Sequence, residues 1–220
     1  VLITGSEGNI GRILVPRIEA YYRLTLKDTK RSSKGDDVRN YEIILGAMIG
    51  QNVAVNLAWS SDTENFANGM IDYDNSSMAH KVYQAALEAR VPRVIMASSV
   101  HADNYMGNQE VLISPERTPI PTSPYGADKV FIESLGRFYA SKGLEVVCIR
   151  FGAVGESPTD EEGRMLWLSP NDCVSLIRSA IDAEKVLGNF SLIYGVSDNV
   201  TKVHDTVNPF GWVPQEGFRG

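Results

Sequence analysis

The stretch TGSEGNIG, Thr4 to Gly11, constrains the fold more than any other part of the sequence. It sets glycines at 5, 8 and 11 between the β-branched run VLITG and the helical pattern NIGRILVPRIEAYY. Three demands are met at once: a tight turn at Gly5, close approach of the backbone to a pyrophosphate at Gly8, and close packing of helix on sheet at Gly11. The helix that follows offers unpaired N–H groups and the positive end of its dipole to phosphates.

The rest of the chain repeats the theme of short apolar run followed by helix. RLTLKD (23–28) and YEIIL (41–45) read as strands, and NVAVNLAW (52–59) precedes the helix SSMAHKVYQAALEAR (76–90). RVIMASS (93–99) precedes a helix around Tyr125, and LEVVCIRF (144–151) closes the series. Apolar runs alternating with helices mean parallel strands buried on both faces, hence an α/β, Rossmann-type doubly wound sheet. Beyond about Gly152 the regularity fades. SPNDCVSLIRSAIDA (169–183) predicts a helix capped by Ser169, FSLIYGV (190–196) a late strand, and the tail from Asn208 is rich in Gly and Pro. The expected division is a cofactor-binding domain over 1–152 and a small substrate-binding region over 153–220. Pro16 inside the first helix predicts a kink. Only six residues separate Gly46 from Val53, too few for a crossover if 41–45 is a strand, which predicts a segment missing after Gly46.

Asp28, at the end of the second strand, stands where a carboxylate can accept hydrogen bonds from the adenosine ribose hydroxyls. Its charge would repel a 2′-phosphate, which favours NAD over NADP, although Lys27, Lys30 and Arg31 lie close by in sequence. A nicotinamide cofactor in turn gives meaning to SPYGADK, where Tyr125 precedes Lys129 by one helical turn. Taken alone that spacing fits a solvated helix as well as an acid–base pair. Beside a hydride acceptor, a tyrosine can take the hydroxyl proton of a carbinol, and a lysine on the same helix face stabilises the phenolate. Ser99, at the carboxyl end of its strand, supplies a hydroxyl to orient the substrate oxygen.

Glycine loop, acidic strand end, serine strand end and Tyr-x-x-x-Lys, in this order, resemble the extended short-chain dehydrogenase/reductase family. Within it, RVIMASSVH, SPYGADK, RMLWLSPNDCVSLI and FGWVP are similar to stretches of the uronate dehydrogenases, which oxidise sugar acids at C1 with NAD. The resemblance implies Tyr125 as acid/base, Lys129 as its partner and a ribose ligand, and Ser99 as the orienting hydroxyl. It further implies Asn9 and Ile10 along the pyrophosphate, and Leu57, Ala58 and Trp59 beside the cofactor. Asn75 would organise the site, Arg164 pair with a uronate carboxylate, and His101 touch the substrate. Val100 departs from the pattern, since uronate dehydrogenases carry an asparagine there. The family also implies a homodimer through a four-helix interface. The competing expectation is a nucleotide-sugar 4-epimerase or dehydratase that retains its NAD.

Charge and composition exclude other classes. A formal net charge of -6 provides no basic field for nucleic acid or an anionic membrane. No apolar run is long enough to span a bilayer. Cys148 and Cys173 form neither a disulfide framework nor a metal spacing, and His80 and His204 lack ligand partners, so no metal is expected. VLITG already reads as a strand, which predicts a cytoplasmic protein with no leader peptide.

Overall fold

In the computed structural model, which describes residues 1–32, 35–60, 69–105 and 111–220, six parallel strands form one sheet. In chain order they are β1 (Leu2–Thr4), β2 (Thr25–Lys27), β3 (Val53–Asn56), β4 (Arg93–Ser99), β5 (Glu145–Phe151) and, after the two-residue strands β6 (Ala153–Val154) and β7 (Trp167–Leu168), β8 (Phe190–Gly195). Their spatial order is β2-β1-β3-β4-β5-β8, while β6 and β7 pair separately. The helices are α1 (Asn9–Ile18), α2 (Tyr41–Met48), α3 (Tyr73–Glu88), α4 (Pro124–Ala140), α5 (Glu161–Leu166) and α6 (Pro170–Asp182).

The central strands are mostly apolar because both faces are covered. Val94 and Met96 of β4, with Val146 and Cys148 of β5, face a core shared with Ile44 and Met48 of α2, Val82 of α3 and Ile132 of α4. Their neighbours Ile95, Val147 and Ile149 point the other way, into a core with Leu14 and Ile18 of α1 and Leu176 and Ile177 of α6. This alternation is the two-residue period of a pleated strand with helices on each side.

The segment 41–45 is not a strand. It opens α2, where the Asn40 side chain accepts a hydrogen bond from the Glu42 N–H as N-cap. Tyr41, Ile44, Leu45 and Met48 recur at helical spacing and pack toward the α3 side of the sheet. The crossover that seemed to be missing is therefore this helix, Gly46 lies inside it, and β2 forms the sheet edge. Pro16 falls two residues before α1 ends at Ile18, so its missing N–H affects only the last turn.

C-terminal residues complete the same sheet through β8, and the tail is strapped against α6. Asp172 accepts hydrogen bonds from the backbone N–H groups of Gln215 and Glu216 at 2.8 and 3.1 Å, and the Trp212 indole donates to Ser175 Oγ at 2.9 Å.

Candidate active site

All the strands are parallel, so their carboxyl ends gather on one edge, and the loops there enclose a cavity of about 730 Å³. Its walls include Ile10, Leu57, Trp59, Ser99, His101, Tyr125 and Lys129. The fold thus brings seven of the predicted site residues, from four separate stretches of chain, to one place.

The glycine loop meets the cavity at Ile10. Gly5 has φ +70°, and a Cβ on it would lie 2.6 Å from the Ala58 nitrogen. A Cβ at Gly11 would lie 2.4 Å from the Gly5 carbonyl oxygen, so neither position accepts a side chain. Gly8 is the N-cap of α1 and provides no side-chain cap, which leaves the first-turn N–H groups for an anion. Asn9 Nδ2 donates to the Val154 carbonyl at 2.9 Å and ties the loop to β6. At the end of β2, Asp28 accepts from the Glu7 N–H at 2.9 Å and the Lys30 N–H at 2.8 Å, so the acidic residue also braces the loop. Backbone cradle, uncapped helix and carboxylate fit the diphosphate and ribose of a dinucleotide.

Ser123 starts α4 by accepting a hydrogen bond from the Gly126 N–H, with Pro124 in the first turn. A Cβ at Gly126 would lie 2.1 Å from the His101 carbonyl oxygen. That glycine lets the first turn of α4 sit on the end of β4 and brings Tyr125 to Ser99. Burial raises the Tyr125 pKa above that of a free phenol, and a hydrogen bond with Ser99 pulls it back down. Ser99 also accepts from the His101 N–H at 3.2 Å.

Lys129 is only 3% exposed. Its ammonium donates to the Ala97 carbonyl at 3.0 Å and lies 3.3 Å from the centroid of the Trp59 ring. Burial depresses its pKa to about 7, against the opposing pull of Glu133 and Asp128. Trp59 also meets Tyr125 edge to face, with ring centroids 5.7 Å apart. Asn75, buried on α3, fixes the backbone next to that tryptophan: it accepts from the Ser60 N–H at 2.7 Å and donates to the Ser60 carbonyl at 2.9 Å.

His101 lies edge to face with Tyr125 at 5.8 Å, and burial lowers its pKa, so it is neutral at pH 7. Its Nδ1 is 3.0 Å from the Tyr105 hydroxyl, which donates to Glu162 at 2.5 Å. Tyr105 and Glu162 are absent from the sequence-predicted set, because a contact spanning 57 residues leaves no local pattern. Val100 is buried in the cavity wall. Arg164 is placed differently from its predicted partners. It is exposed, its guanidinium lies 5.4 Å from the Phe218 ring, and it is not among the residues lining the cavity.

His204 is fully buried between the rings of Tyr105 and Tyr194, and burial lowers its pKa to about 4. Among the described residues no group of three His, Cys, Asp or Glu side chains could hold a metal ion, and no helix is long and apolar enough to cross a membrane.

Known proteins share both sequence and geometry. A model of the NAD dependent epimerase/dehydratase family matches residues 1–168. The L-arabinose 1-dehydrogenase (NAD(P)(+)) of Haloferax volcanii is 30% identical over 98% of this chain and 96% of its own length. The uronate dehydrogenase of Pseudomonas putida is 27% identical over 98% of this chain and 84% of its own. Among solved structures, the uronate dehydrogenase of Agrobacterium tumefaciens, as a tyrosine-to-alanine mutant complexed with NAD, superposes with a TM-score of 0.83. It is 25% identical, and the match covers 98% of this chain and 84% of that one.

Proposed function

The chain belongs to the NAD dependent epimerase/dehydratase family, and within it we propose an NAD-dependent dehydrogenase that oxidises a sugar or sugar acid at its anomeric hydroxyl. The activity class is sugar oxidation with NAD; the residue roles are our reading. One observation carries it: Ser99, Tyr125 and Lys129 converge on a single cavity that Ile10 of the glycine loop also lines.

Bound NAD supplies a hydride acceptor. The protein's part is to hold the sugar and take its proton. Ser99 and Tyr125 both reach the oxygen being oxidised. Ser99 orients it, and Tyr125 Oη takes the hydroxyl proton as the carbon loses hydride. The products are a lactone, NADH and a proton. Lys129 carries the charge that favours the phenolate, and it would hold the nicotinamide ribose. Gly5, Gly8, Asn9, Ile10 and Gly11 take the pyrophosphate, and Asp28 the adenosine ribose, which favours NAD over NADP. Leu57, Ala58 and Trp59 would flank the cofactor.

Residues 1–152 would thus carry the cofactor and the acid–base groups, and 153–220 shape the substrate end. His101 and Arg164 remain the sequence-based choices for substrate contact, with His101 the better placed. We further infer a homodimer packed through α3 and α4, whose outer faces leave Leu87, Phe131 and Phe138 37, 49 and 53% exposed. Two free, buried cysteines support a cytoplasmic location.

The test is absorbance at the NADH band with purified protein, NAD and a panel of sugars. NADH accumulating in stoichiometric turnover supports the dehydrogenase. Interconversion of a UDP-sugar with no net NADH would replace it by the epimerase.

A further inference from the structure

The charges on the cavity wall bear on which sugar enters, given the dehydrogenase reading above. Among the described residues, five that line the cavity are charged: Asp72, Asp128, Asp160, Glu162 and Lys129. The one cation among them is not available to a substrate anion, because Lys129 is buried, bonded to the Ala97 carbonyl and covered by the Trp59 ring. His101 is held neutral by burial. Arg164, the arginine nearest in sequence to the substrate end, lies over Phe218 outside the cavity. Arg117 is committed to Asp103, at 2.7 Å, and to the Asn104 carbonyl. The stretches 61–68 and 106–110 contain no lysine or arginine.

The carboxylates at the substrate end are held in place. Asp160 caps α5 by accepting from the Gly163 N–H at 2.6 Å. Glu162 accepts at 2.5 Å from Tyr105, whose ring is only 5% exposed, so one carboxylate oxygen is fixed by a buried phenol. Fixed carboxylate oxygens accept hydrogen bonds from sugar hydroxyls and repel a carboxylate or phosphate.

We propose that the substrate is a neutral aldose, with no carboxylate or phosphate, and that Glu162 is the specificity-determining residue that receives its hydroxyls and excludes anionic sugars. An acid sugar in this cavity would place like charges together with no guanidinium to offset them.

The experiment uses the full chain with NAD and follows NADH for matched pairs: galactose against galacturonate, and glucose against glucuronate and glucose 6-phosphate, with L-arabinose as a neutral pentose. The expected result is kcat/KM at least about tenfold higher for the neutral member of each pair. Glu162→Gln keeps the acceptor for Tyr105 and removes the charge, so it should narrow that ratio by raising kcat/KM for the uronate. Asp160→Asn should do the same more weakly, since an asparagine still caps α5. A wild-type preference for a uronate or sugar phosphate overturns the proposal and leaves the dehydrogenase reading intact. A neutral preference that Glu162→Gln does not change overturns the role of Glu162. No NADH with any sugar overturns the reading beneath both.

Discussion

Helix α4 borders two buried cations and treats them in opposite ways. Arg150 is fully buried, yet each of its nitrogens is engaged. Nε and Nη2 donate to the two oxygens of Glu133 at 2.8 and 2.7 Å, and Nη1 donates to the Tyr194 hydroxyl at 2.8 Å. Burial works against its charge, but the bonded Glu133 carboxylate holds the guanidinium well above its ordinary pKa. Lys129, one turn before Glu133 on the same helix, meets the Ala97 carbonyl and an indole face, and its pKa falls to about 7. A cation with all its donors matched serves the architecture. One whose pKa is depressed by burial beside the candidate acid–base tyrosine is poised for chemistry.

The sharpest way to separate the two is to remove the chemistry and leave the fold. Tyr125→Phe should lower kcat by about 10²–10⁴, the ordinary worth of a positioned acid–base group, with no loss in Tm. Steady-state NADH kinetics and a thermal melt on the same sample check both halves. A parallel fall in Tm would mean that Tyr125 is a packing residue after all.

The Arg150 side breaks in the other direction. Arg150→Met strands Glu133 in the core and should cost about 3–5 kcal/mol of stability, read from the urea midpoint. Adding Glu133→Leu removes the orphaned charge and should recover most of the loss, although the Ser98 hydroxyl also loses its partner. A single Arg150→Met variant as stable as wild type would remove the contrast on which the comparison rests.

How far the sequence revealed all this depended on range. The glycine loop, Asp28 and the Tyr125–Lys129 spacing are local requirements, imposed by one turn or one strand end, and they are legible in a few residues. The strands are legible because burial on both faces leaves unbroken apolar runs. YEIIL misleads for the same reason. Five residues of a buried helix look like five residues of a buried strand, and only the recurrence through Met48 separates them. What stays hidden is pairing over distance. Nothing near Arg164 announces Phe218, and nothing near Tyr105 announces Glu162.

Removing the poised lysine should stabilise the protein. With a folded pKa of about 7 against 10.5 in the unfolded chain, Lys129 binds fewer protons in the native state between those values. Its cost to folding is therefore complete below pH 7 and fades as pH rises toward 10.5. Lys129→Met should raise stability by about 1–4 kcal/mol at pH 6, net of the lost Ala97 bond and indole contact, and by much less at pH 9. Urea melts at the two pH values, alongside NADH kinetics showing lost activity, check this. Equal gains at both pH values would mean that the lysine is fully charged in the fold.

Asp28 is the intermediate case and carries the smallest effect. It is half-buried, partnered by two backbone N–H groups rather than by a cation, and set beside Lys30 and Arg31. Arg31 is held at 3.3 Å and Arg12 at 3.6 Å by Glu7, which places two guanidinium groups beside the loop. Asp28→Ser keeps an acceptor for the loop and removes the charge that would oppose a 2′-phosphate. The ratio of kcat/KM for NADP to that for NAD should rise about tenfold, about 1.4 kcal/mol, mostly through KM for NADP. A ratio that does not move would reduce Asp28 to a brace for the glycine loop, and cofactor choice would then have to come from the Glu7–Arg31 pair.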